Sequence, residues 1–154
     1  MDVTSFVAGQ NSGFLTVISV FIDQYLYLIL PISLIFFKRK IDGKLMSLVI
    51  SLLIILASSF FLKGLFQTSR PCDANLKLQS CPTDYSFPSG HAAVAFAFLS
   101  FSLGSWFFVF YYLIAIAVSI SRIYLGVHFL NDVVAGAVMG IISYFVSQKV
   151  ITNA

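Results

Sequence analysis

Residues 45–62 read LMSLVISLLIILASSFFL, 18 residues without a charge, closed by Lys63. The hydrocarbon core of a bilayer is about 30 Å thick and takes about 20 apolar residues of helix, within a range of roughly 17–25. Leu45–Leu62 therefore reads as a membrane span, and it sets lipid as the solvent for its neighbours. Working outward, Phe87–Gly104, Trp106–Ser121 and Val133–Val146 with its flanks form three more apolar runs. A tight turn at Gly104-Ser105 and a polar hinge over Arg122–Asn131 separate them, and Trp106 suits an interfacial ring. The composition agrees: 59% of the 154 residues are hydrophobic and 10% charged, with 17 Phe and no Glu. A typical soluble domain carries about 25% charged residues. These figures exclude a soluble monomer, a disordered tail and a nucleic-acid binder. The length suits one membrane-embedded domain over residues 1–154. There is no internal repeat, and the apolar runs are too many for a signal peptide followed by a soluble domain.

The N-terminal part admits two readings. Phe14–Phe37 is long enough for one span, but Asp23 would then sit well inside it, at about 2.5–3.5 kcal/mol on insertion scales. Ser12, Thr16, Ser19 and Asp23 recur at helical spacing as one polar stripe among Phe14, Val17, Ile18 and Phe21. That pattern fits an amphipathic helix lying in the interface, followed by a first span over Asp23–Phe37. The other reading is one long tilted helix with the stripe facing a bundle. The interfacial reading is preferred, which gives an all-α integral membrane bundle of about five transmembrane helices plus an N-terminal interfacial helix.

Lys38, Arg39, Lys40 and Lys44 cluster between two apolar runs, as a cytoplasmic loop does under the positive-inside rule. Alternation then puts residues 63–86 and 122–131 outside, and Gly104-Ser105 and Lys149 inside. The inner segments hold five of the nine basic residues. The expected location is a cell membrane, multi-pass, with the polar cluster described next on the extracytoplasmic face.

Ionisable residues near a bilayer are functional hypotheses by default. Lys63, Arg70, His91, Arg122, His128 and Asp132 all fall on one side of this topology, and both histidines of the chain are among them. Each has an ordinary reading alone: Lys63 as a snorkelling anchor, Ser89 as an N-cap, Asp132 as an acid at a helix start. Six from three distant stretches on one surface make a site. Lys63, Arg70 and Arg122, with no Glu and few Asp nearby, would attract an anion, and guanidinium forks match phosphate oxygens. Pro88-Ser89-Gly90-His91 is a turn into a helix whose free N–H groups would face that anion, Gly90 allowing close approach. His128 and Asp132, four apart, share a helical face, and a carboxylate beside imidazole fixes its tautomer. His128 then serves as nucleophile or base and His91 as general acid. Three cations would repel a divalent ion, so neither a metal nor another cofactor is expected.

At these residues the sequence resembles the three-part signature of the type 2 phosphatidic acid phosphatase superfamily. The parts are Lys63-x6-Arg70-Pro71, then Pro88-Ser89-Gly90-His91, then Ser121-Arg122-x5-His128-x3-Asp132, in order and without a departure. The resemblance implies that Lys63, Arg70, Ser89, Gly90 and Arg122 bind the phosphoryl group. It implies that His128 forms a phosphohistidine, that Asp132 orients His128 and that His91 protonates the leaving oxygen. It implies a lipid phosphate or pyrophosphate as substrate, with membrane lipids around it and no obligate protein partner. In size and plan the chain is similar to small polyprenyl diphosphate phosphatases of undecaprenyl or dolichyl type. Phosphatidic acid, phosphatidylglycerol phosphate and diacylglycerol pyrophosphate remain alternatives. Outside the enzyme class, an anion transporter or a non-catalytic lipid-phosphate binder would also use a basic cluster. Five spans leave little room for a lumen, and binding alone needs neither an acid nor a nucleophile. Cys72 and Cys81, nine apart in the outer loop, are expected to form a disulfide.

Overall fold

The apolar runs found in the sequence become helices, and polar or glycine-containing segments turn the chain between them. The structure, a computed structural model, describes residues 3–37, 42–72, 77–78 and 80–153. Lys38, Arg39 and Lys40 of the expected inner loop lie outside the described residues. In chain order the helices are α1 (Val3–Ala8), α2 (Gly13–Phe37), α3 (Gly43–Phe66), α4 (Gly90–Phe101), α5 (Phe108–Tyr124) and α6 (Leu130–Thr152). Helices α2, α3 and α6 are long and apolar enough to cross a membrane. The apolar helices α4 and α5 are shorter, about 18 and 26 Å at 1.5 Å per residue. The result is a helical membrane bundle whose outer faces, at Phe36, Phe60 and Trp106 for example, are exposed apolar side chains turned to lipid.

The segment over residues 12–37 departs from the preferred reading. Gly13–Phe37 is one continuous helix, with no break at Asp23 between an interfacial piece and a span. The polar stripe explains why. The Tyr124 hydroxyl donates to the Ser12 carbonyl (2.9 Å) and lies 2.8 Å from Thr16 Oγ1, Ser19 is buried, and Asp23 pairs with Arg122. The stripe meets polar groups of α5 rather than water, so the insertion cost of Asp23 is offset inside the bundle. Phe14, Val17 and Phe21 take the lipid side.

Local chemistry fixes the helix ends. The Asp42 carboxylate accepts from the Leu45 N–H at 3.0 Å and caps α3. At the other end Gln67 adopts a left-handed φ of 46° and returns its N–H to the Lys63 carbonyl, which turns the chain toward Arg70. Gly126, at φ 71°, makes the turn between α5 and His128, in a region that other residues enter only at a cost.

The centre of the bundle is the α4–α6 pair. Ala92, Ala93, Ala95 and Ala97 of α4 are fully buried, and Gly136 and Gly140 face them from α6. A methyl group on Gly136 would lie 2.3 Å from the Ser89 carbonyl oxygen, and one on Gly140 2.1 Å from that of Ala93. Small residues let the two backbones approach this closely, which is how helices associate in lipid. One backbone bond, Ser89 N–H to the Asp132 carbonyl at 3.0 Å, joins the starts of α4 and α6. Below it, Phe98, Phe101, Tyr111 and Tyr144 fill the core, with the Tyr111 hydroxyl 2.7 Å from Ser33 Oγ.

Candidate active site

Four helix termini meet at one end of the bundle: the last turns of α3 and α5 and the first turns of α4 and α6. Lys63, Gly90, His91, Arg122 and His128 come from these termini or the residues beside them, and Arg70 comes from the loop after α3. All six line a single cavity of about 590 Å³. Ser89 and Asp132 are buried beside it and do not line it. The two histidines therefore share one pocket although 36 residues of chain lie between them.

His128 sits just ahead of α6 and is almost fully buried. Its Nδ1 lies 3.4 Å from Asp132 Oδ2, a carboxylate that also accepts the Phe129 N–H at 2.9 Å. Its Nε2 faces Arg70 Nη1 at 3.2 Å. A guanidinium can only donate, so Nε2 is the accepting nitrogen, its lone pair on Arg70, and the ring proton belongs on Nδ1, beside Asp132. Burial holds the imidazole well below its usual range, at about 4, against the opposing pull of Asp132 and with help from Arg122 and Arg70. The ring is thus neutral at ordinary pH, as a nucleophile requires. The 3.4 Å contact is long for a hydrogen bond, and such contacts tighten when substrate binds.

The cations are held in different ways. Arg70 donates from Nη1 to the Val127 carbonyl (2.9 Å), from Nε to the Asp84 carbonyl (2.9 Å) and from Nη2 to Asp84 Oδ1 (2.6 Å). Lys63 pairs with Asp84 Oδ2 at 2.9 Å and donates to the Tyr85 carbonyl. Burial raises the Asp84 carboxyl, but the bonds from Lys63 and Arg70 outweigh it and bring it down to about 2. Arg122 pairs with Asp23 through Nη1, while its Nε is buried without a partner. The Ser89 hydroxyl is also buried without a partner, and it makes no capping bond to α4. Ser59 Oγ, which lines the cavity, and His128 Nδ1 are likewise without a hydrogen-bond partner among the described residues, and orphaned polar atoms at a cavity are what a site leaves open for a ligand's oxygens.

His91 occupies the second position of α4. Its Nδ1 lies 3.4 Å from the Tyr27 hydroxyl, with ring centroids 4.8 Å apart, and its Nε2 lies 3.4 Å from the Asp23 carbonyl oxygen. Cys72 and Cys81 are joined by a disulfide, with Cα atoms 5.8 Å apart. The bridge begins two residues after Arg70, on the loop that brings Asp84 to the site.

Sequence reasoning placed few acids near the cations, and this is corrected: Asp23 and Asp84 both sit on them. Tyr27 was missed as well. Asp23 carried a readable signal, a carboxylate inside an apolar run, which is retained in membranes only with a partner. Asp84 carried none, because only the folded loop sets it between Lys63 and Arg70. Among the described residues no group of three His, Cys, Asp or Glu is placed to hold a metal ion.

Comparisons with known proteins identify the family. An undecaprenyl-diphosphatase of Sulfolobus acidocaldarius is 31% identical over 147 residues, spanning 90% of this chain and 70% of the relative. Phosphatidylglycerophosphatase B of Bacillus subtilis is 32% identical over 133 residues, 78% of this chain and 63% of the relative. The crystal structure of Aquifex aeolicus LpxE superposes with a TM-score of 0.78 at 28% identity, over 95% of this chain and 92% of that one. Residues 44–154, from the start of α3 onward, match the PAP2 superfamily. That stretch holds every residue of the three-part signature, and the chain therefore belongs to the PAP2 superfamily, as a membrane phosphatase.

Proposed function

We propose that the protein hydrolyses the phosphate or diphosphate headgroup of a membrane lipid on the extracytoplasmic face, with a polyprenyl diphosphate as its first substrate. The observation that carries the reading is the composition of the cavity. Its polar end holds the histidines and the three cations. Its other end is apolar, lined by Leu30, Pro31, Leu52, Ile55, Val94 and Phe98. That furrow runs between α2 and α3 with α4 beneath it, and a lipid chain would lie there while its headgroup meets the charges. The undecaprenyl-diphosphatase relative favours a prenyl chain, and the phosphatidylglycerophosphatase B relative supports a phosphatidylglycerol phosphate as the second reading.

In this reading Lys63, Arg70 and Arg122 bind the phosphoryl oxygens, joined by the Ser89 hydroxyl and the Gly90 N–H at the start of α4. His128 Nε2 attacks phosphorus. The P–N bond forms as the bond to the leaving oxygen breaks, and His91 gives its proton to that oxygen. Water then attacks the phosphohistidine, His91 takes the water's proton, and the P–N bond breaks to release phosphate. Asp132 keeps the proton of His128 on Nδ1 throughout and stabilises the charge that builds on the ring. Protein groups supply every charge and proton in this scheme, so chelators should leave the rate unchanged.

The test is a phosphate-release panel in detergent comparing prenyl diphosphates, phosphatidic acid and phosphatidylglycerol phosphate, with His128→Ala as control. Fastest release from a prenyl diphosphate, abolished in the control, supports the reading. Release from none of these lipids by folded protein would overturn it.

A further inference from the structure

Asp23 and Tyr27 lie on α2, outside the residues that match the family, yet both line the cavity beside the signature residues. One oxygen of Asp23 faces two of them. Oδ1 pairs with Arg122 Nη1, and the same atom lies 3.9 Å from His91 Nε2. The Asp23 carbonyl oxygen is nearer still to that nitrogen, at 3.4 Å, so the acid's ring is already lodged against residue 23. One turn along α2, the Tyr27 hydroxyl holds the other ring nitrogen.

We propose that Asp23 is a positioning residue that couples phosphate binding at Arg122 to the readiness of His91 as the acid, by exchanging the first partner for the second. The proposal rests on the roles assigned above to His91 and Arg122. Phosphoryl oxygens arriving at Arg122 meet its unpartnered Nε first and then compete with Asp23 for Nη1. As Arg122 turns to the phosphate, its charge moves away from His91 and the carboxylate is left facing the ring, which favours the protonated form beside the leaving oxygen. Tyr27 accepts from the Nδ1–H of that imidazolium, and the Nε2 proton, which faces the Asp23 carbonyl oxygen in the resting site, is the one that passes to the leaving oxygen. Asp23 itself does not touch the substrate. A carboxylate that only neutralised Arg122 would have no need of the second contact.

The experiment measures kcat/KM of Asp23→Asn on two substrates: a lipid diphosphate, and an aryl phosphate whose phenolate leaves without being protonated. Orthovanadate inhibition is measured alongside. The expected result is a loss of about 10–100-fold on the lipid, part of the 10²–10⁴-fold that a general acid supplies. The aryl substrate should lose little, and vanadate should bind several-fold tighter because Arg122 has shed its internal competitor. Asp23→Glu should recover most of the lipid rate. An equal loss on both substrates, weaker vanadate binding or an unchanged lipid rate would overturn the proposal. If Asp23→Asn does not fold, Asp23→Glu carries the same comparison, with a smaller loss confined to the lipid. His91→Ala separates the two levels of the argument. If its defect is the same for both leaving groups, the assignment of His91 as acid fails. If its defect is confined to the lipid while that of Asp23→Asn is not, only the role of Asp23 fails.

Discussion

Gly136→Ala is a one-methyl change that should reach the chemistry through the backbone. The new Cβ would lie 2.3 Å from the Ser89 carbonyl oxygen, 3.2 Å from that residue's carbonyl carbon and 3.2 Å from Ala92 Cβ. These are backbone and methyl atoms with no rotamer to escape into. Relieving an oxygen contact of 2.3 Å to about 3.2 Å requires α4 and α6 to part locally by about 0.9 Å, and overpacking of this kind costs about 1–3 kcal/mol. The segment pushed away is Ser89-Gly90-His91, and the segment that pushes carries Asp132 and His128. A misplacement of about 1 Å at a reacting geometry costs on the order of 10²-fold in rate. Phosphate release and thermal unfolding in detergent, measured on the same preparation, should show kcat reduced by about 10–100-fold and a lowered midpoint. Gly64→Ala is the control, because nothing lies within 4 Å of a methyl group there, and a helix prefers Ala by about 1 kcal/mol. It should keep its activity and unfold no earlier than the wild type. A Gly136→Ala protein with wild-type rate and midpoint would refute the reasoning that the close approach of α6 to Ser89 holds the start of α4 in its working position.

Asp132→Asn should slow phosphate release by about 10²–10⁴-fold in folded protein, since the amide no longer fixes the His128 tautomer. Because burial holds His128 at about 4, the nucleophile gains its proton only as pH falls through that value, so kcat/KM, corrected for the substrate's own titration, should drop there; a drop centred near 6.5 would contradict the burial argument. Asp84 is half exposed and so competes weakly for Lys63 and Arg70; at about 0.2–1 kcal/mol for such a pair, Asp84→Asn should tighten orthophosphate inhibition by about 1.5–5-fold. Reducing the Cys72–Cys81 bridge, or changing both residues to Ser, should lower the unfolding free energy by roughly 2–3 kcal/mol, read by thermal unfolding with and without reductant.

What the sequence discloses here divides along a physical line. Span-length apolar runs and signature residues are local patterns, so the bundle and the members of the cavity could be read from Leu45–Leu62 and from the placement of His91, Arg122 and His128. Partners across the fold are not local. Asp84 meets Arg70 from 14 residues away and Asp23 meets Arg122 from 99, so the charge balance of the site came only with the structure. The same gap explains α2. The stripe of Ser12, Thr16, Ser19 and Asp23 has the same spacing whether it faces water or a neighbouring helix, and Tyr124 and Arg122 decide between them. Helix α4 is shorter than its apolar run because Phe87-Pro88-Ser89 is spent on bringing Gly90 and His91 against α6, and residues 102–104 on the turn toward α5.

The account turns on His128 as the group that takes the phosphoryl from the lipid. Rapid quenching of wild-type protein with a lipid diphosphate labelled in its terminal phosphate, followed by peptide mapping at alkaline pH, tests this most directly. The prediction is a phosphoryl group on the peptide carrying His128, absent from His128→Ala. Label on any other residue, or undiminished phosphate release from His128→Ala, would contradict it.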